Sequence, residues 1–368
     1  MRKLIQETDK TVLLIYGLLV FIGLIMILDI SSYSATLARF IKQIIWVIIS
    51  VPTLIFCAQK IDLQKHRKLI FPTVVLVIVM LVAVLIFGEK VKGAQRSLNF
   101  GFMNFQPSLL ARIVLIVYFA HLLDKKKQFI DDLDFAGIVQ NFIPLILTTL
   151  VVFSLIFIGR HLSILVILAM TLFVMVFAAK IPYRIILSIL LIIAIGVSIA
   201  IAFGPKYRGE RMKVYRKYNL FTKEDSKVSS AIEYPVRMSL TALSVGGFWG
   251  VEGRAKDKNL PEAVKDYIFS VIGEQGGFLG ASFVFILYLL LYIKGLLISV
   301  RQKSLFLKLL GIGLTHNIFY NALVHIGVCI SLLPPTGVTL PFVSYGGSSL
   351  LINSASIGII LNISRVRR

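Results

Sequence analysis

Two carboxylates in the last third of the chain have a type and a spacing that suit acid–base chemistry. Glu262 and Asp266 are four residues apart and follow Pro261, which favours the first turn of a helix, so we expect both side chains on one helix face. They lie where a charged stretch gives way to an apolar one, and a carboxylate at such a boundary is easily tuned to act as a general base. A second interpretation needs no chemistry. Glu262 then only favours a helix N-terminus, and the other carboxylate pairs with Lys265 or Arg254.

Ionisable residues also lie inside apolar stretches, where a charge is costly unless it faces a cavity or a partner. Arg112 and Glu274 occupy such positions, and we expect both to be functional. His161, His316 and His325 lie in or beside apolar stretches too, but they lack the spacing of metal ligands. We therefore expect these histidines to be neutral, hydrogen-bonded packing residues, and we predict no metal site.

The composition places these residues in a membrane protein. Of the 368 residues, 57% are hydrophobic and 15% are charged, whereas soluble proteins carry about 25% charged residues. Cys57 and Cys329 lie in apolar stretches and indicate neither a disulfide nor a metal site.

Ten apolar stretches are long enough to cross a bilayer as helices, which takes about 20 residues each. They cover residues 11–30, 41–58, 69–88, 107–123, 138–158, 162–179, 185–203, 266–297, 305–333 and 343–363. The predicted fold is therefore all-α: a single polytopic membrane domain over residues 1–368, with ten transmembrane helices.

The positions of lysine and arginine predict the side on which each loop lies. With both termini in the cytoplasm, the cytoplasmic segments hold eighteen basic residues and the short outer loops hold six, as the positive-inside rule requires. Residues 204–265, between helices 7 and 8, then form a large extracytoplasmic loop with thirteen basic residues. Arg211 lies in its first part, where bases alternate with aromatic residues as in an interfacial helix. This loop is either a solvated surface or a basic surface for lipid headgroups or phosphates, and we expect no nucleic acid partner.

Two stretches of small residues are more typical of helix packing than of a functional site. One comprises Gly246, Gly247, Gly250 and Gly253. The other comprises Ser344, Tyr345, Gly346 and Gly347. Neither stretch follows a strand as a phosphate-binding loop does, and small residues allow membrane helices to approach closely. The second stretch follows several prolines and predicts a rigid, polar start to the tenth helix that lines a cavity.

Three segments resemble those of one known family. LPEAVKDYIF (260–269), followed by VIGEQGGFLG (271–280), closely resembles the signature of the SEDS family, the FtsW, RodA and SpoVE group. KGAQR (92–96), leading to FQPS (105–108), resembles the loop between the family's third and fourth helices. LLPPTGVTLPFVSYGGSS (332–349) is similar to its most specific segment. Ten helices with a large outer loop also agree with the family.

The resemblance implies a peptidoglycan polymerase of the bacterial cytoplasmic membrane. The family's members are inverting glycosyltransferases that polymerise lipid II, a disaccharide pentapeptide linked to undecaprenyl diphosphate, at the outer face of that membrane. The family's essential aspartate falls on Asp266, which would act as the base. The implied partners are lipid II, membrane lipids and a class B penicillin-binding protein, since we expect no transpeptidase domain in this chain. The family allows a divalent cation as cofactor, although the sequence shows no dedicated ligands.

Substrate-binding residues follow from the same resemblance. Positive charge for the departing diphosphate would come from Lys92, Arg96, Arg112 and Arg211. The further candidates are Glu262, Glu274, Ser344, Tyr345, Gly346 and Gly347.

Several positions depart from the family pattern and keep other functions open. Leu109 replaces a glutamate, Arg160-His161 replaces Pro-Asp, and Val264-Lys265 replaces His-Thr. The alternatives are a flippase or transporter of a lipid-linked cell-wall precursor, and an inactive scaffold for a penicillin-binding protein. Within the family, the motifs favour the division-type members over the elongation type.

Overall fold

The computed structural model describes residues 9–33, 37–88, 90–91, 94–95, 97–99, 101, 104–127, 135–181, 206–219, 230–251 and 262–365. Most of these residues are helical. The α-helices are α1 (Lys10–Tyr33), α2 (Ala38–Gln59), α3 (Ile70–Phe87), α4 (Pro107–Lys125), α5 (Phe135–Ile158), α6 (Leu162–Ala178), α7 (Lys206–Tyr218), α8 (Ser230–Gly246), α9 (Ile268–Val300), α10 (Leu305–Cys329) and α11 (Gly347–Arg365). A 3₁₀ helix covers Lys65–Leu69.

Two short antiparallel hairpins connect α3 to α4. β1 (Lys90–Val91) pairs with β2 (Ala94–Gln95), and β3 (Leu98–Asn99) pairs with β4 (Asn104–Phe105).

The helices confirm an all-α, multi-pass membrane protein. Seven of the described helices are long and apolar enough to cross a membrane. Nine of the ten predicted stretches are helical, although their ends shift by a few residues; the stretch 185–203 lies outside the described residues. The helix predicted to start at residue 343 begins at Gly347, and 343–346 belong to the preceding loop.

One end of the bundle is basic. Its connecting segments, 60–69, 124–127, 301–304 and 365, contain ten lysine and arginine residues and two aspartates. Arg67 Nη2 lies 2.6 Å from the Asp124 carboxylate, which also accepts a hydrogen bond of 3.2 Å from the backbone N–H of Phe306. These contacts join the 3₁₀ helix that precedes α3 to α4 and α10, so the segments meet in what we call the basic end.

The opposite, polar end gathers the hairpins, the turn between α5 and α6, and the 330–346 loop between α10 and α11. Ser348 at the start of α11 donates a hydrogen bond of 2.7 Å to the carbonyl oxygen of Asn104 in β4. Gln106, which precedes α4, has its side-chain nitrogen 3.0 Å from Nδ1 of His161, which precedes α6. Segments far apart in sequence therefore meet at this end.

The 330–346 loop is folded into the bundle. Tyr288 in α9 donates a hydrogen bond to the carbonyl oxygen of Pro341. A Cβ atom on Gly23 in α1 would lie 2.7 Å from Cα of Val343, so glycine allows α1 to pack directly on the loop backbone. Gln43 in α2 accepts a hydrogen bond of 3.3 Å from the backbone N–H of Gly346. Three helices thus fix this loop.

Helix α9 is interrupted at Gly277, whose φ of 62° and ψ of −161° are not helical. The turn after α8 fits into this break: a Cβ on Gly250 would lie 2.8 Å from the backbone nitrogen of Gly277. A Cβ on Gly246 would lie 2.9 Å from Cα of Glu274. The close approach predicted for this glycine group is therefore confirmed at Gly246 and Gly250. It is wrong at Gly247, where an added Cβ would meet no atom within 4 Å, and Gly253 lies outside the described residues.

Candidate active site

Asp266 lies at the polar end, two residues before α9 begins. The side chain is half-buried, and its Oδ1 atom has no exposed surface. Its Oδ2 atom lies against Gly337 of the 330–346 loop, where an added Cβ would be 3.3 Å from that oxygen. Gly337 has a φ of +74°, a conformation that glycine adopts without strain. Glycine at position 337 therefore allows the loop backbone to lie close to the Asp266 carboxylate.

A backbone clamp holds the segment that carries Asp266. Ser344 donates a hydrogen bond of 2.7 Å to the carbonyl oxygen of Lys265 and accepts one of 2.8 Å from the N–H of Leu340. The N–H of Tyr345 donates a bond of 2.8 Å to the carbonyl oxygen of Val264. Two of the candidate substrate-binding residues thus anchor the aspartate's segment to the 330–346 loop.

The predicted helix through Glu262 and Asp266 is wrong, because the clamp holds this segment in another conformation. Glu262 has a φ of +56°, and α9 begins only at Ile268, so the two carboxylates do not share a face of one continuous helix. A single turn remains, in which the N–H groups of Lys265 and Asp266 each donate 2.9 Å bonds to the carbonyl of Glu262. This turn does not continue as a helix, because the carbonyls of Val264 and Lys265 accept bonds from Tyr345 and Ser344 of the 330–346 loop instead. Glu262 is exposed.

Helix α7 brings positive charge to the same loop. Arg211 Nη1 donates a hydrogen bond of 3.0 Å to the carbonyl oxygen of Pro335, two residues before Gly337. The helix predicted for this basic and aromatic stretch is confirmed by α7. Arg211 and Asp266 therefore approach the loop at neighbouring positions.

An ionic cluster joins α7 to α8. Glu233 accepts a hydrogen bond of 2.6 Å from the Tyr218 hydroxyl and lies 3.0 Å from Nζ of Lys217. The Tyr218 hydroxyl has the larger effect and Lys217 the smaller; both stabilise the carboxylate and so lower the pKa of Glu233. Burial, and after it the bond to Glu233, raises the pKa of Tyr218 to about 12. The cluster fixes the helix that carries Arg211.

The other candidate residues occupy different places. Glu274 is buried in the first segment of α9, and its carbonyl accepts a 2.9 Å bond from Val251 after the glycine turn. Gly347 begins α11 and packs against the indole ring of Trp46. Arg112 is buried between α4 and α10, away from the surface. Lys92, Arg96 and Arg254 lie outside the described residues.

The histidines are packing residues, as predicted. His316 lies 2.8 Å from the carbonyl of Ile312, and His325 lies 2.7 Å from that of Val338. Within the described ranges, no group of three His, Cys, Asp or Glu side chains could hold a metal ion.

Some residues near Asp266 were not predicted to belong to the site. Gly337 and Pro335 lie in a segment that the sequence singled out, but nothing in its spacing indicates that the carboxylate and Arg211 meet there. Ser163 at the start of α6 also reaches this loop, with its hydroxyl 3.5 Å from the carbonyl of Thr336. The PPTG pattern of residues 334–337, which predicts a turn, was the available signal.

The fold and the site define a multi-pass helical membrane protein with a carboxylate held at one end of its bundle. The chain belongs to the FtsW/RodA/SpoVE family, described as "Cell cycle protein", which matches residues 9–368.

Curated relatives cover almost the whole chain. A protein of Trichlorobacter lovleyi named "Probable peptidoglycan glycosyltransferase FtsW" is 32% identical over 98% of this chain and 94% of its own length. A protein of the same name from Geobacter metallireducens is 30% identical over 98% and 96%. Stage V sporulation protein E of Bacillus subtilis is 29% identical over 98% of both.

Solved structures share the fold. A chain from a study of how a peptidoglycan synthase complex coordinates polymerization and crosslinking has a TM-score of 0.80 and 22% identity over 98% of both chains. The rod shape determining protein RodA of Thermus thermophilus has a TM-score of 0.71 and 22% identity, over 98% of this chain and 97% of its own.

Proposed function

We propose that this chain is a peptidoglycan polymerase of the bacterial cytoplasmic membrane that acts in cell division. As an inverting glycosyltransferase it would join lipid II molecules into glycan strands at the outer face. The names of the curated relatives support both the activity and the division role. The observation that carries the proposal is the position of Asp266, whose Oδ2 faces Gly337 on the loop that Arg211 also contacts.

The proposed reaction needs a base and a place for negative charge. Asp266 accepts the proton of the 4-hydroxyl of the acceptor sugar as that oxygen bonds to the anomeric carbon of the donor sugar. The bond from that carbon to the diphosphate oxygen breaks, and the diphosphate leaves with the bonding electrons. Attack opposite the leaving group inverts the anomeric centre. Arg211, Lys92 and Arg96 are proposed to stabilise the departing charge, and the contact of Arg211 with the loop that faces Asp266 supports its part in this.

The proposed topology follows from the two ends of the bundle. Ten spans in one polytopic domain, with both termini in the cytoplasm, put the basic end inside, as the positive-inside rule favours. The polar end then faces outward, and α7 and α8 belong to the outer loop between helices 7 and 8. Asp266 would lie where lipid-linked sugars are displayed.

A class B penicillin-binding protein is the proposed partner. The similar chain in a peptidoglycan synthase complex supports a partner of the crosslinking type. Such a partner would crosslink the strands that this chain makes.

A reconstitution experiment tests the proposal. Purified full-length protein in liposomes with labelled lipid II should give a ladder of glycan products. If labelled lipid crosses the bilayer and no ladder forms, the chain is a transporter. If neither occurs and the protein still binds a penicillin-binding protein, the chain is a scaffold.

A further inference from the structure

One charged side chain inside the bundle has no role in the proposed reaction. Arg112 in α4 is only 2% exposed, and its Nη1 donates a hydrogen bond of 2.7 Å to Oδ1 of Asn321 in α10. Its Nε–H has no hydrogen-bond acceptor among the described residues, and no carboxylate in that part of the chain forms an ion pair with it. A guanidinium buried in this way is poorly placed to meet a diphosphate.

The partner of Arg112 lies on another helix. Leu109, one turn earlier in α4, is apolar where the family pattern has a glutamate, so α4 itself offers no acid at this position. Asn321 is in turn held by its own helix, since its Nδ2 donates a bond of 2.6 Å to the carbonyl of Asn317. The bond from Arg112 therefore ties α4 to a fixed point on α10.

Helix α10 continues from this point to the candidate active site. His325 lies one turn after Asn321, is 1% exposed, and has Nδ1 2.7 Å from the carbonyl oxygen of Val338. Val338 follows Gly337, which lies against Asp266. Two hydrogen bonds and one turn of α10 thus connect the Arg112 guanidinium to the 330–346 loop, which faces the Asp266 carboxylate.

We infer that Arg112 is a positioning residue, which fixes α10 through Asn321 and so holds the 330–346 loop against Asp266. The inference rests on the proposed function of Asp266. Loss of the tether shifts Gly337 and Val338 relative to Asp266, while Ser344 and Tyr345 keep their bonds to the aspartate's segment, so kcat falls while KM changes little. A contact with the substrate diphosphate would instead raise KM and would not involve Asn321.

The test compares Arg112→Met, Asn321→Ala and the double variant. Each single variant should lower kcat for lipid II polymerisation by about tenfold or more, and the double variant should be no worse than the poorer single one, because both remove the same bond. Arg112→Lys, which keeps a donor for the Asn321 oxygen, should restore most of the rate. Asn362→Ala is the control, since Asn362 is a buried asparagine that bonds to carbonyls near the basic end.

A second measurement is independent of activity. Hydrogen–deuterium exchange of full-length protein should become faster in residues 332–346 for Arg112→Met and Asn321→Ala, and should not change there for Asn362→Ala. If wild type makes no polymer, the proposed function fails, and the exchange data still decide the inference. A raised KM with unchanged kcat and unchanged exchange overturns it. If Arg112→Met does not fold, Asn321→Ala alone decides: unchanged kcat and exchange in that variant also overturn it.

Discussion

The Ser344 hydroxyl donates a hydrogen bond of 2.7 Å to the carbonyl oxygen of Lys265, the residue before Asp266. The hydroxyl oxygen of Ser344 also accepts a bond of 2.8 Å from the N–H of Leu340. One side chain therefore joins the aspartate's segment to the 330–346 loop. Ser344 and Leu340 are buried, and removing the hydroxyl leaves a buried backbone donor and a backbone acceptor without their partner. The position of Asp266 therefore depends on a serine that is distant in sequence.

Ser344→Ala should lower the rate of polymerisation. Leaving a buried polar group without its hydrogen bond costs about 1–3 kcal/mol, and a loss of about 1.4 kcal/mol in transition-state stabilisation is tenfold in rate. We expect kcat for lipid II to fall by about tenfold. Ser356→Ala is the matched control, because within the part of the chain that the structure describes the buried Ser356 hydroxyl bonds only to Ile352 of its own helix. Equal rates for Ser344→Ala and wild type would show that the clamp does not position the base.

Gly347→Ala should destabilise the fold. An added methyl group would overlap the indole ring of Trp46, so α11 and α2 could not keep their packing. We expect a lower melting temperature for the purified protein, and partial recovery in the double variant with Trp46→Leu. Gly209→Ala is the control, because it is exposed on α7 and a Cβ there would meet no atom within 4 Å. A melting temperature unchanged by Gly347→Ala would contradict the packing described for α11.

Acidification should loosen α7 from α8. The pKa of Glu233 is lowered by its bonds to Tyr218 and Lys217, so its ionised form stabilises the folded state above the ordinary pKa of 4.5. This stabilisation is lost as the pH falls through the lowered pKa of the folded state. Hydrogen exchange in α7, corrected for its intrinsic pH dependence, should therefore increase between pH 6 and pH 3. Glu233→Gln should show fast exchange at both pH values; if it behaves like wild type, another group controls the docking.

Apolar stretches predicted most of the helices. Nine of the ten predicted stretches are helical because a run of about 20 apolar residues has few other stable structures. Close packing at Gly246 and Gly250 also followed from residue type. The break at Gly277 did not, since it depends on the turn that fits into it.

The candidate site was predicted in part. Asp266 and the segment 344–347 were identified separately. Spacing within either segment cannot show that the Ser344 hydroxyl donates a hydrogen bond to the carbonyl of Lys265. The same bond explains why the helix through Glu262 was wrong: local preference favoured it, and a contact across the bundle overrode it. Arg112 was recognised as costly, whereas its partner on α10 is visible only in the folded chain.

The most direct test of the central claim is the polymerisation rate of Asp266→Asn. This variant keeps the size of the side chain and removes its ability to accept a proton, and Asp62→Asn at the basic end is the control. With purified full-length protein and labelled lipid II, we predict no detectable glycan ladder from Asp266→Asn, and wild-type amounts from Asp62→Asn. A wild-type ladder from folded Asp266→Asn would show that Asp266 is not the base.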